Sequence, residues 1–598
     1  MTTNTSDLLR FGAFSGFYGD NPDNMGVLLQ EGVDVLVGDY LAELTMLILR
    51  KNEMRGAPGY ARTFVTQLRD NLPRIAAGGV KVVANAGGLD PEGCAAEIRG
   101  VIQSLGLELT VAAITGDDLT EALAGELGQT IELANIDTGE ILELGQHEIM
   151  TANAYLGAWP IVAALEAGAD IVVCPRMTDA SLVVGPAAWH YGWAADDYDQ
   201  LAGAVVAGHV IECGGQATGG NFSHFHEYDD LGYPGLPIAE MAADGSCVIT
   251  KVKDSGGIVT VDTVKSQLFY EIGGPEYQNP DVITDLTSLA LVDLGGDRVE
   301  VTGVRGVVPT GTTKLALTYE GGYRNSMTVG LTGAHVEEKV AWLRRQVEGR
   351  VGAEHYFDGF RVAVIGPARD IDGNYDEATA LVTFNVRDRD PKKVSRQAFA
   401  DRIVQICLAS IPGFYMTAPP AKERLYGVQW PCLIDKSVLT PVVKIDGSSD
   451  RPVLWPQPDG EPGTGSTEVV TQTAPTAVGG PVVRVPLGTV FATRSGDKGG
   501  KANVGIWGRS EEGYDWLRSF LTVEHFQELV PEAADLKVER HEFPNLLGVN
   551  FLVYGYLEDG VSSCLRIDAQ AKGVGEYLAS KTVELPGSLL PEPGGARP

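Results

Sequence analysis

Val35-Leu36-Val37-Gly38-Asp39, followed by Tyr40–Lys51 with Leu41, Leu44, Leu47 and Ile48 at helical spacing, is the stretch that decides the fold. A short run, apolar on both faces, ends in glycine and a carboxylate, and an amphipathic helix follows at once. Such a strand belongs inside a parallel sheet covered by helices. The pattern repeats downstream. Thr63–Leu72 reads as a helix, Val80–Ala84 as a strand, and Pro91–Gln103 as a helix opened by Asp90-Pro91, an N-cap acid with proline at the first helical position. Strand Leu107–Ile114, helices Leu119–Leu127 and Trp159–Ala167, and strand Asp170–Cys174 continue the alternation. The expected class is α/β: a parallel sheet flanked by helices, followed by α+β regions and a small C-terminal α+β domain.

Upstream, Arg10-Phe11-Gly12-Ala13-Phe14-Ser15-Gly16-Phe17-Tyr18-Gly19-Asp20 places three glycines before an acid. Glycine lets backbone N–H groups approach a ligand closely. The loop matches neither a dinucleotide fingerprint nor a Walker A sequence, and a structural turn explains it equally well. The same ending recurs in Val82-Val83-Ala84-Asn85-Ala86-Gly87-Gly88 and in Val111-Ala112-Ala113-Ile114-Thr115-Gly116-Asp117-Asp118. Ligands of parallel sheets sit outside the carboxyl ends of the strands, so these endings are expected to rim one site. Asp20, Asp39, Asp117 and Asp179 are candidates for acid, base or metal ligand; each alone could also be a helix N-cap.

The bulk properties bound the function. The 598 residues exceed one core, and a net charge of −33 argues against binding to nucleic acid or anionic membranes. Seven scattered cysteines without a CxxC pair favour reduced thiols. No apolar run approaches the roughly 18 residues of a membrane span, and the N-terminus lacks the regions of a signal peptide. A cytoplasmic enzyme is expected, and a symmetric homo-oligomer is the prior for a large metabolic enzyme.

From about residue 205 the texture changes to Gly-rich loops and short β segments at Val210–Cys213, Cys247–Val252, Ile258–Val261 and Arg298–Val301. A helix around His335–Val351, strands Arg361–Ile365 and Thr379–Val386, and helix Val394–Ile411 suggest an α+β sandwich. The expected division is an α/β core with cleft loops at 8–332, the sandwich at 333–449, a Pro/Gly/Ser/Thr-rich linker at 450–480, a small α+β domain at 481–587 and a disordered tail at 588–598.

Further stretches carry chemistry. Arg176-Met177-Thr178-Asp179-Ala180-Ser181 follows a strand, where an arginine can bind a carboxylate or phosphate bidentately or pair internally with Asp179. Glu212-Cys213-Gly214-Gly215-Gln216-Ala217-Thr218-Gly219-Gly220-Asn221-Phe222 is a ligand-wrapping loop by composition. Cys213 is a possible nucleophile, although isolated cysteines are more often inert, and His224-x-His226 lacks a third metal ligand of clear spacing. Glu240 adds a carboxylate near that loop. Arg494-Ser495-Gly496-Asp497-Lys498-Gly499-Gly500-Lys501 could bind a CoA phosphate or dock on a neighbouring domain.

Together these stretches resemble the AtuA family, named for acyclic terpene utilisation. The resemblance rests on Ser15–Asp20, Val37–Leu44, Asn85–Leu89, Asn153–Ala158, Arg176–Ala180 and Glu212–Phe222, and it spans roughly residues 10 to 445. Arg494–Gly499 is similar to the small ferredoxin-like domain that accompanies the family, here fused through the linker. The resemblance implies catabolism of branched and terpenoid acids as CoA thioesters, without a catalytic scheme that transfers.

The reaction is therefore read from residue types. The absence of a Rossmann fingerprint and of a GxSxG elbow disfavours a nicotinamide dehydrogenase and a common serine hydrolase. Carboxylates, an arginine and glycine N–H groups suit proton transfer beside a thioester carbonyl, as in hydration of an enoyl-CoA or dehydration of a 3-hydroxyacyl-CoA. Asp179 and Glu212 are the expected acid/base pair, with Asp39 and Asp117 as further catalytic candidates. Gly16, Gly19, Gly87 and Gly88 form the expected backbone cradle, and Arg176 the anchor for an acidic or phosphate group. Asp20, Asn85, Thr178, Gln216, Thr218, Gly219, Asn221, Arg494, Asp497 and Lys498 complete the expected substrate contacts. No cofactor is evident, and a metal is possible without being indicated. The alternatives are a CoA transferase or thioester hydrolase with Glu212 or Glu240 as nucleophile, and a non-catalytic scaffold for a pathway enzyme.

Overall fold

The first six strands are β1 (Leu9–Ser15), β2 (Val35–Gly38), β3 (Lys81–Ala84), β4 (Val111–Thr115), β5 (Ile149–Ala154) and β6 (Ile171–Val173). All but β5 run parallel in one sheet, in the spatial order β1-β2-β3-β6-β4. The coordinates are a computed structural model that describes residues 8–352, 354–366, 374–408, 411–456 and 480–591.

Alternating side chains feed two cores. Val35, Val37 and Val83 point to one, and Leu36, Val82 and Ala84 to the other. Both faces are buried, which is why these strands read as unbroken apolar runs. The helices between strands supply the covering layers. The helix Pro91–Ser104 starts as its sequence predicts, with Asp90 Oδ1 accepting from the Gly93 N–H at 2.8 Å. In register, Ser15 lies beside Gly38, Gly38 beside Ala84, and Ala84 beside Val173. The residues that follow, Gly16, Asp39, Asn85 and Cys174, therefore emerge together at one edge.

The sheet is larger and more mixed than the expected parallel one. Antiparallel β7 (Pro237–Met241) and β8 (Cys247–Lys251) extend it beyond β1, followed by Val299–Thr302 and Ala290–Asp293. Val442–Ile445 and Arg451–Pro452 extend the other edge, making eleven strands.

A second, antiparallel sheet is organised on the long strand Thr312–Thr332, which pairs with β5, Thr379–Asp388, Phe414–Met416 and Arg424–Asp435. The boundary expected at 332/333 falls at the end of this strand, and its partners lie on both sides of that point in the chain. The two regions are interleaved rather than consecutive.

Three expected elements differ. Val210–Cys213 is not a strand: Val210 and Ile211 end the helix Tyr198–Ile211, buried from Leu201 onward. Burial on all sides overrides the strand preference of β-branched residues. Ile258–Val261 forms no strand, because Thr260 caps the helix Val261–Leu268. The helix expected over Val394–Ile411 is two short ones, Pro391–Val394 and Ala400–Val404, with extended backbone at Ser395 (ψ 156°) between them. Most of the expected linker (457–479) and tail (592–598) lies outside the described residues.

The small domain is a four-stranded antiparallel sheet, in the order Ala492–Lys498, Lys501–Trp507, Gly548–Val553, Val538–Phe543, with helices over one face. Its other side packs on the large region. Phe269 stacks on Trp507 at 5.4 Å and meets Phe543 edge-on at 5.3 Å. Asn503 Oδ1 accepts from the Glu271 N–H at 2.8 Å, and Asn550 Nδ2 donates to the Gly273 carbonyl at 2.8 Å. Among the described residues no helix is long and apolar enough to cross a membrane.

Candidate active site

Asp39 is the first residue past β2. Its N–H donates to the Ser15 carbonyl at 2.8 Å, and its Oδ1 accepts from Asn85 Nδ2 at 2.5 Å and the Leu41 N–H at 3.2 Å. Asn85 Oδ1 accepts from the Tyr40 N–H at 2.7 Å, so both ends of this buried amide are committed to fixing Asp39. Glu212 caps the helix Tyr198–Ile211; its Oε1 lies 3.1 Å from Nδ1 of His209, one turn back, and its buried Oε2 has no hydrogen-bond partner among the described residues. Asp39, Asp179, Glu212 and Ser15 line one small cavity of about 10 Å³, room for about one water, with Val37, Leu182 and Ile211.

Arg176 is 3% exposed and held through both terminal nitrogens, while its buried Nε has no hydrogen-bond partner among the described residues. It donates to Asp179 Oδ1 at 2.7 Å, the Leu41 carbonyl at 2.9 Å and the Tyr155 hydroxyl at 2.7 Å, and its guanidinium lies 4.1 Å over the Tyr155 ring. Tyr155 in turn donates to Glu43 at 2.9 Å, and Lys314, from the second sheet, pairs with Glu43 at 2.7 Å. Asp117 accepts from Asn153 Nδ2 at 2.7 Å and the Arg176 N–H at 3.3 Å.

Burial sets the charge states. It raises the Asp39 carboxyl well above the usual range, helped by Asp179 and opposed by Arg176. Glu212 is raised the same way, by burial, then Asp179 and Glu271. Two carboxyls that resist ionisation therefore share the cavity with the Arg176–Asp179 ion pair. Burial also opposes ionisation of Glu43, but Lys314 and Arg176 outweigh it and hold that group low. Burial pushes Asp117 up to about 7, and takes His209 down to about 4, with Lys498 adding to the fall.

The small domain closes the arrangement. Arg494 stacks over Tyr270 at 4.2 Å and donates to Gln216. Lys572 reaches Tyr270, Asp497 at 3.4 Å and Glu271 at 3.5 Å. Lys498 lies over the Tyr277 ring at 5.5 Å, and Tyr277 packs 5.2 Å from His209. Burial, then Glu271, raises Asp497 to about 7.

The family model described as acyclic terpene utilisation family protein AtuA matches residues 9–445, which holds every core residue of this cavity. The chain belongs to the AtuA family. Residues 485–584 match the AtuA ferredoxin-like domain, the small sheet that carries Arg494 and Lys498. No curated protein matches the chain. The family's description ties the AtuA core to acyclic terpene utilisation.

Within this AtuA core the expected charged residues gather, and the expected glycine cradle does not. The Gly16 N–H donates to Asp20 at 2.9 Å, and a Cβ on Gly16 would lie 2.9 Å from Cys213 backbone. The Gly87 N–H donates to the Cys174 carbonyl at 3.0 Å; the Gly88 N–H donates to the Asn85 carbonyl at 3.3 Å, at φ +53°. These glycines permit close backbone packing, and Gly19 is exposed. Asp20 is a loop cap for Gly16, Asn21 and Asn24. Asp117 acts behind the cavity, pinning the Arg176 loop.

Thr178 bonds Ser181 and the Leu156 carbonyl, and Thr218 donates to the carbonyls of Gly215 and Gly235, so both hold their own loops. Gly219 (φ +101°) and exposed Asn221 (φ +59°) form left-handed turns. Glu240 is placed away from the cavity: it pairs in register with Arg10 near the amino end of β1 and ion-pairs with Arg298 at 2.6 Å and Arg10 at 3.3 Å. His224 faces the Gly488 carbonyl at 3.0 Å, a domain contact, and no cluster of three or more metal-ligating side chains occurs among the described residues. The Cys213 thiol is pushed well up by burial and Glu212, which keeps it a poor nucleophile.

Glu43, Tyr155, Lys314, Glu271, Tyr270 and Tyr277 were not singled out by sequence as site residues. Glu43 and Tyr155 lie inside stretches shared with the family. Lys314 and Tyr277 sit on strands whose pairing brings them to the site, and no local pattern marks them.

Proposed function

We propose that this AtuA protein catalyses acid/base proton transfer beside the carbonyl of a branched or terpenoid acyl-CoA, as a hydratase or dehydratase of the enoyl-CoA/3-hydroxyacyl-CoA pair. The observation that carries the reading is the shared cavity of Asp39, Asp179 and Glu212 at the strand ends, with Asp179 ion-paired to Arg176. In the dehydration direction Asp179 accepts the Cα proton, and protonated Glu212 delivers a proton to the departing C3 hydroxyl, releasing water. Asp39, fixed by Asn85, maintains the proton inventory of the cavity. Hydration is the reverse.

A carboxyl that resists ionisation is a good proton donor and a poor nucleophile, so the residues favour this reading over a Glu212 adduct. A pure scaffold is disfavoured because the small domain's face lies against the chain's own core, with Arg494 stacked over Tyr270 and Lys498 over Tyr277. The test is turnover of branched enoyl- and 3-hydroxyacyl-CoA thioesters by the full chain. Asp179→Asn is expected to fold and to lose activity; an unchanged rate would remove Asp179 from the mechanism.

A further inference from the structure

Resting on that reading, the reaction places negative charge on the thioester oxygen, and three of the four backbone donors expected to receive it are engaged elsewhere. The N–H groups of Gly16, Gly87 and Gly88 all bond within the fold. Arg176 has committed Nη1 and Nη2 to Asp179, the Leu41 carbonyl and Tyr155, which leaves only its buried Nε without a hydrogen-bond partner among the described residues. A full charge on the thioester oxygen calls for a second cation.

The ferredoxin-like domain brings one. Its first two strands form a hairpin that turns at Gly499 (φ +66°) and Gly500, with Lys498 and Lys501 directly opposite in the last register pair. Like charges in facing positions destabilise a hairpin. Lys501 is accounted for by its ion pair with Asp137. Lys498 is half-buried, and among the described residues it makes no ion pair. It reaches the site through Tyr277: Nζ lies 5.5 Å from that ring, the ring 5.2 Å from His209, and His209 Nδ1 3.1 Å from Glu212. The hairpin backbone is fixed where it meets the core, since a Cβ on Gly496 would fall 2.4 Å from the Tyr270 ring.

We propose that Lys498, carried by the ferredoxin-like domain, is a catalytic residue whose ammonium receives the thioester oxygen as it becomes an enolate. Asp179 takes the Cα proton; the C–H pair forms the Cα=C1 bond, and the C1=O π pair moves onto oxygen beside Lys498. That oxygen pair then re-forms C1=O, the Cα=C1 pair becomes the Cα=C3 bond, and the C3–O bond pair leaves with the hydroxyl, which takes the Glu212 proton to depart as water. Lys498 keeps its proton throughout. The small domain is then half of the active site.

The test uses the full chain with 3-hydroxy-3-methylbutyryl-CoA in D2O, following deuterium entry at Cα and, by calorimetry, affinity. Lys498→Met is expected to slow exchange at saturation by about 10²–10³-fold, the usual loss on removing one oxyanion donor, with little change in Kd. Lys498→Arg, which keeps the charge, is expected to retain most of the rate. Exchange at the wild-type rate in Lys498→Met would overturn the proposal. So would a loss of affinity with saturated exchange intact, which would make Lys498 a grip for a phosphate or carboxylate. Absence of exchange in the wild type would overturn the proposed reaction and this role with it. Should Lys498→Met fail to fold, acylation of Lys498 in the wild type decides: protection by the thioester is expected, and equal labelling with and without it contradicts the assignment.

Discussion

The glycines at 16, 87 and 88 and the charged residues at 39, 176, 179 and 212 lie together at the strand-end rim of the site, yet the fold uses them for opposite purposes. A Cβ on Gly87 would sit 2.7 Å from the Cys174 carbonyl, and one on Gly88 2.8 Å from that of Gly59, so backbone fills the space around them. Around Asp39 and Glu212 side chains also approach, Asn85 and His209 among them, and Glu212 keeps a buried oxygen with no hydrogen-bond partner among the described residues. Small residues let the loops close; the polar side chains left at the rim then face one another across a small shared cavity. Their proximity follows from the packing, and their altered acidity follows from their proximity.

That contrast breaks most easily at Glu212. Glu212→Gln keeps the shape of a protonated carboxyl, so folding should be unchanged while kcat falls about 10²–10⁴-fold, the range for a lost general acid; steady-state kinetics on the substrate pair would check it. Wild-type activity in this variant would move the chemistry away from the cavity.

Asp117 tests the second layer through pH. Its carboxyl is raised to about 7 in the folded chain from an ordinary value near 3.8, so the native state holds a proton that the unfolded state releases. The stability this gives is full below about pH 4 and is lost as pH rises to about 7, on the order of 4 kcal/mol in all. Asp117→Asn should flatten the pH dependence of denaturant stability between those limits. An identical slope in the variant would show that another group carries it.

The glycines predict a smaller, structural effect. Gly87→Ala should destabilise by about 1–3 kcal/mol through overpacking against backbone, whereas Gly19→Ala, which meets only the exposed Phe17 ring, should stay within about 0.5 kcal/mol. Thermal denaturation separates them. A fall in kcat for Gly19→Ala at unchanged stability would restore the cradle role. Arg509→Ala removes partly exposed pairs to Glu227 (2.9 Å) and Asp262 (2.5 Å) across the domain contact, again a small effect of less than about 1 kcal/mol.

What could be read in sequence divides along the same line. The parallel strands were legible because double-sided burial writes itself as unbroken apolar runs such as Val35–Val37. Asp39, Arg176, Asp179 and Glu212 were legible because they follow those runs. The helix Tyr198–Ile211 was half hidden, since a helix buried on all sides loses the period that marks one. Lys314 reaches the site through the second sheet, Tyr277 through a small separate one, and Lys498 through a second domain. Register over hundreds of residues decides those positions, and no local spacing records it. The glycine cradle was misread because a glycine needed for backbone contact and one needed for a ligand look alike in sequence.

Oxygen-isotope incorporation tests the central claim most directly. The full chain is incubated with a branched enoyl-CoA in ¹⁸O-labelled water, and the 3-hydroxyacyl-CoA formed is read by mass spectrometry beside Asp179→Asn and Glu212→Gln. Label at C3 in the wild type, lost in both variants, is the predicted result. Label at the thioester carbonyl carbon instead, or at C3 in all three proteins, would contradict it.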